Sequence, residues 1–122
     1  MYIMGFIPPF IGLEGEYNTF RIGVKWHKTL AVGEQVAVVN EKVKEIISYA
    51  EVTALYKGSL IEMLEQHANK NHTGLNAEDL GKFILKLYGP HIVNDNKLTT
   101  VIYLKCLNLF GSGLQNTPIK RG

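Results

Sequence analysis

Ile46-Ile-Ser-Tyr-Ala-Glu-Val-Thr-Ala-Leu55 divides into two alternating sets of side chains, Ile46, Ser48, Ala50, Val52, Ala54 and Ile47, Tyr49, Glu51, Thr53, Leu55. A period of two, rich in β-branched residues, predicts a strand. Both sets contain apolar residues, so the sheet that holds this strand is expected to be covered on more than one side. After Lys57-Gly58 the period changes. Ser59 and Glu62 stand at capping-box spacing, and Leu60, Ile61, Leu64 and Ala68 repeat as a helical stripe, which predicts a short helix over 60–68. A strand that runs directly into an amphipathic helix points to a sheet with helices packed against it.

Downstream, Asn76 is placed to cap a second helix, with Glu78 and Asp79 in its first turn. Leu80, Phe83, Ile84, Leu87 and Tyr88 form its apolar stripe, and Gly89-Pro90 stops it. Between the helices, Asn69-Lys-Asn-His-Thr-Gly74 reads as a polar, flexible connection. Leu98-Thr-Thr-Val-Ile-Tyr-Leu-Lys-Cys-Leu107 has the composition of a closing strand. Upstream, Gln35-Val-Ala-Val-Val39 follows a turn at Gly33, and Thr19-Phe-Arg-Ile-Gly-Val-Lys-Trp26 alternates as a strand after a turn at 12–18. Strands on both sides of a helical insert predict an α+β domain: a curled β-sheet or small β-barrel with two peripheral helices. We divide the chain into an N-terminal apolar packing segment (1–14), the domain itself (15–110) and a loose C-terminal tail (111–122).

The 122 residues suffice for one domain with a core of its own. A net charge of +2 is too small to indicate a nucleic-acid partner by itself. The apolar runs are shorter than a membrane span, and Met1–Ile11 lacks a basic leader region and is interrupted by Pro8-Pro9, so it is expected to pack as an edge strand. The single Cys106 forms no internal disulfide, which fits a reducing, cytoplasmic compartment. His67, His72, His91 and Cys106 do not have metal-ligand spacing, and no cofactor motif is present, so neither metal nor cofactor is expected.

Three short elements, Thr19-Phe-Arg21, Gly33-Glu-Gln-Val-Ala-Val38 and Ala50-Glu-Val52, together with the helical insert and closing strand, resemble the ASCH domains of the PUA-like superfamily over residues 15–108. The resemblance implies a PUA-like small barrel and an association with RNA or modified nucleosides. It also implies that Thr19 and Arg21 correspond to the Thr-x-Arg pair of the family cleft. Members that hydrolyse an acylated cytidine carry a lysine just upstream, and here Glu16 stands in that place, which removes the basic catalytic group.

Among individual residues, Arg21 comes first, because a guanidinium offers a fixed fork of donors to a phosphate or base edge. Its bland alternative is a surface arginine bridging carboxylates. Lys25, Trp26 and Lys28, with His27, form a basic and aromatic cluster suited to stacking a base while neutralising phosphate, unless the indole is a core anchor. Glu51 is the candidate for proton transfer, with Glu14 and Glu16 as neighbouring carboxylates. Three functions remain open at this level. They are an RNA-binding or other nucleic-acid-binding domain, an enzyme such as a hydrolase acting on a modified nucleoside or small ligand, and a non-catalytic protein-interaction module using Phe6, Phe10 and Ile11.

Overall fold

The computed structural model describes residues 1–110; the expected tail, 111–122, lies outside the described residues. Five strands, β1 (Tyr2–Phe6), β2 (Glu16–Ile22), β3 (Gln35–Asn40), β4 (Glu45–Ser59) and β5 (Leu98–Leu109), form one sheet in the order β1-β3-β4-β5-β2. β1 pairs in parallel with β3, and the other neighbours are antiparallel. The sheet curls into a half-barrel flanked by helices α2 (Leu60–His67) and α3 (Ala77–Tyr88), as the α+β reading requires. Among the described residues no helix is long and apolar enough to cross a membrane.

Alternation along the strands sorts the apolar side chains into two cores. Inside the curl, residues from all five strands meet, including Phe6, Tyr17, Val38, Val52 and Leu104. On the outer side, Leu60, Leu64, Leu80, Ile84 and Val93 pack with Phe20 and Ile22 of β2. Both faces of β2 are therefore engaged: Tyr17, Thr19 and Arg21 point to the inner side, and Phe20 and Ile22 to the helices. Phe6 is buried and Phe10 packs on the inner core, so of the three residues expected to face a partner, Phe6, Phe10 and Ile11, Ile11 is the exposed one.

The strand expected to reach Trp26 ends at Ile22. Gly23 adopts a positive φ of 88° and donates its N–H to the Leu98 carbonyl at 2.7 Å, which turns the chain into the five-residue helix α1 (Lys25–Thr29). At its other end β2 begins three residues earlier than expected, at Glu16, so that Glu16, Tyr17 and Asn18 of the expected turn belong to the strand. α2 buries Leu60, Met63, Leu64 and His67, an i, i+3, i+4, i+7 stripe, and Ile61 falls outside it and is exposed.

The Ser59 hydroxyl accepts the Glu62 N–H, and the Glu62 carboxylate accepts the Ser59 N–H, closing the capping box. Ser59→Ala is expected to cost about 1 kcal/mol, read as a shift of the urea midpoint with unchanged slope.

The connection 69–74 is the largest departure from expectation, because Asn71, His72 and Thr73 are buried. Asn71 and Asn18 form an isolated parallel bridge, and every exchange around it is between polar groups. Asn18 Nδ2 donates to the His67 carbonyl at 2.8 Å, and Asn71 Nδ2 donates to both oxygens of Asn18 at 3.3 Å. Asn71 Oδ1 accepts from the Thr73 N–H (3.0 Å) and hydroxyl (2.6 Å). A polar loop can be buried when its donors and acceptors are matched in this way. The consequence for the site is that His72 is held against β1 and β2.

Candidate functional site at the sheet seam

β1 and β2 are the two edges of the half-barrel, and Arg21 joins them. Its Nη2 donates to the Gly5 carbonyl at 2.8 Å, its Nε donates to Thr19 Oγ1 at 3.3 Å, and its guanidinium lies 4.9 Å from the centre of the Phe6 ring. Among the described residues Nη1 has no hydrogen-bond partner, and no carboxylate is within ion-pair distance of Arg21. Burial lowers its pKa to about 10, against the opposing influence of Tyr88, Glu41 and Tyr17, so the group remains a cation at neutral pH.

This cation lines a pocket of about 70 Å³ between the Gly5–Ile7 segment, β2, the 71–73 loop and the inner face of α3. The volume admits a small polar group and is well below the several hundred Å³ that enclose a drug-sized ligand. Thr19 and His72 also line it, and Tyr88, in the last turn of α3, stands half-open at its rim. His72 Nδ1 lies 3.2 Å from the Pro9 carbonyl, an acceptor, so Nδ1 carries the ring proton and Nε2 keeps its lone pair. The imidazole stacks at a tilt on Phe6, with centroids 4.6 Å apart. The site thus combines a charged donor, a neutral imidazole and an aromatic ring.

Burial, and then the Arg21 charge, lower the His72 pKa to about 3, with the Pro9 hydrogen bond opposing. Below its ordinary value of about 6.5 an unfolded chain takes up a proton that the folded chain refuses, so stability falls as pH drops through 6.5 towards 3. About 1 kcal/mol is expected to be lost from this group between pH 7 and 5.5, and His72→Gln is expected to flatten that dependence in urea melts.

The other residues singled out in the sequence lie elsewhere. Lys25 and Lys28 are exposed on α1, and Trp26 packs against the inner core and meets Tyr2 edge to face at 6.0 Å. None of the three lines the Arg21 pocket. Glu51 is opposite Lys105, which is itself opposite Glu16, so the register sets a carboxylate, an ammonium and a carboxylate in a row on the face of the sheet turned away from Arg21. Glu16 accepts the Thr53 hydroxyl at 2.9 Å. Glu14 does not line the pocket either. Phe6, His72 and Tyr88 line it without having been singled out for it; the one signal available was Tyr88 at the far end of the α3 stripe, where a helix runs out of core to cover.

Neither family models nor curated proteins match the sequence. Solved structures do. Protein EF3133 from Enterococcus faecalis V583, of the family model DUF984, superposes with a TM-score of 0.58 at 11% identity, over 84% of this chain and 67% of that one. A tyrosine-to-phenylalanine variant of an ASCH protein from Zymomonas mobilis superposes with a TM-score of 0.60 at 14% identity, again over 84% and 67%. At these identities the likeness is one of fold, and the chain has the fold seen in an ASCH protein.

Proposed function

We propose that the chain is an ASCH-type domain that binds RNA or a nucleotide-like ligand at the seam pocket, Arg21 receiving a phosphate or base-edge oxygen. The observation that carries this reading is the half-buried guanidinium whose Nη1 has no hydrogen-bond partner among the described residues and which has no carboxylate within ion-pair distance. A cation drawn partly out of water, with Glu41 acting on it only from beyond ion-pair distance, is costly, and an anionic group brought to it regains what burial removes. The pocket takes one such group, and a base would then lie at the rim against Tyr88. Thr19 orients the guanidinium through Oγ1. Exposed Lys25 and Lys28 add attraction for a polyanion, and Glu51 takes no part.

The pocket lining contains neither lysine nor carboxylate, and His72 is neutral with its N–H engaged, which favours binding over hydrolysis of a nucleoside. Titration of the full chain with labelled single-stranded RNA and with ribonucleoside monophosphates tests the reading. If three cations engage the strand, RNA affinity should fall roughly 20-fold between about 50 and 200 mM salt. Absence of binding at low salt, or binding that Arg21→Ala leaves unchanged, would overturn it.

A further inference from the structure

A groove of about 590 Å³ runs between α2 and α3, on the outer side of the sheet. Leu60, Leu64 and Val93 form its floor, and Gly81 keeps it open, since a β-carbon there would stand 3.2 Å from Leu64 Cδ1. Ile61 and Leu85 line it while 40% and 43% exposed, more than an apolar side chain with a full set of neighbours would show. Charge sits on its exposed rim: Glu65, Glu78, Asp95 and Lys82. Lys82 donates to Glu78 at 3.1 Å, whereas Glu65 and Asp95 have no cation in ion-pair distance among the described residues. Three carboxylates and one ammonium leave −2 on this lining, in a chain whose total is +2.

That combination discriminates between partners. The lining contains no aromatic ring to stack a base, and its surplus carboxylates repel phosphate, so nucleic acid does not fit. Apart from the Lys82–Glu78 pair, no hydrogen bond or ion pair joins its charged groups among the described residues, unlike the convergent polar set of a small-molecule site. α3 has twelve residues and is therefore about 18 Å long, the length of about three turns of a second helix laid beside it.

We infer that the α2–α3 groove docks an amphipathic helix of a partner protein, with an apolar i, i+3, i+7 stripe on the groove floor and lysine or arginine flanking it against Glu65 and Asp95. Two labelled model helices of about 14 residues test this, sharing one leucine stripe and carrying either lysines or glutamates on the polar face. With the full chain, the lysine helix should bind at least about tenfold more tightly and shift the amide signals of Ile61, Leu64, Gly81 and Leu85. Glu65→Lys with Asp95→Lys should reverse the preference. Leu85→Asp, at an exposed position, should abolish binding while melting as the parent does. Equal affinity for the two helices, binding that survives Leu85→Asp, shifts at these amides caused by RNA instead, or a doubling of mass in the absence of peptide would each overturn the inference.

Discussion

Asn71→Ala should lower the stability of the fold by about 2–4 kcal/mol, whereas Asn69→Ala, two residues away in the same polar connection, should stay within about 0.5 kcal/mol of the parent. Asn69 is exposed and Asn71 is buried. Removal of the Asn71 carboxamide strips the Thr73 N–H and hydroxyl of their acceptor and takes a donor from Asn18. Each buried group left unsatisfied costs about 1–3 kcal/mol. Urea unfolding of both variants reads the difference. Equal midpoints would mean that the bridge between residues 18 and 71 does not hold the loop, and with it His72, against the seam.

The second large effect concerns Arg21. Arg21→Ala should weaken RNA binding by about 2–3 kcal/mol, roughly 30- to 150-fold, because it removes both the charge and the Nη1 donor left over for the ligand. Arg21→Lys should lose about tenfold and keep the salt dependence, since a lysine supplies the charge but not the planar guanidinium that Thr19 and Gly5 hold in place. Lys25→Ala with Lys28→Ala should do the converse, reducing the slope of log affinity on log salt by about 0.7 per residue while leaving nucleotide monophosphate binding intact. The seam also loses the Gly5 hydrogen bond in Arg21→Ala, so a thermal melt accompanies each titration. If Arg21→Lys binds as the parent does, the guanidinium contributes only bulk charge, and the pocket is not where the ligand is read.

The elements that proved legible from sequence are those in which periodicity and end signals agree. α2 and α3 carry caps at Ser59 and Asn76 in addition to their stripes, and β4 and β5 are long runs of alternating, β-branched residues. α1 was not legible because five residues are too few to show a helical period, and because the positive φ of Gly23 ends a strand whose alternation continues on paper through Val24. The 69–74 connection misled for a different reason. Composition reports that Asn71 and Thr73 are polar and is silent about a matching asparagine 53 residues earlier. Thr19 and Arg21 stand out in any reading as polar groups in a strand. Phe6, His72 and Tyr88 do not, since they meet only through the parallel pairing of β1 with β3 and the curl that brings β1 round to β2.

The curl also accounts for the orientation of the site. Gly5 and Arg21 belong to opposite edges of the sheet, and a flat sheet would keep them four strands apart. Closure of the seam by a side chain rather than by a ladder leaves one guanidinium nitrogen over for a ligand, which is why the same residue is both clasp and receptor in this account.

The most direct measurement is a titration of the full chain with a ribonucleoside monophosphate, followed through the ¹H–¹⁵N signals of the arginine side chains. The Arg21 Nη1 protons are expected to sharpen and shift together with the ring signals of Tyr88, while the amides of Lys25 and Lys28 stay in place. Shifts confined to α1, with the Arg21 guanidinium unchanged at saturation, would contradict it.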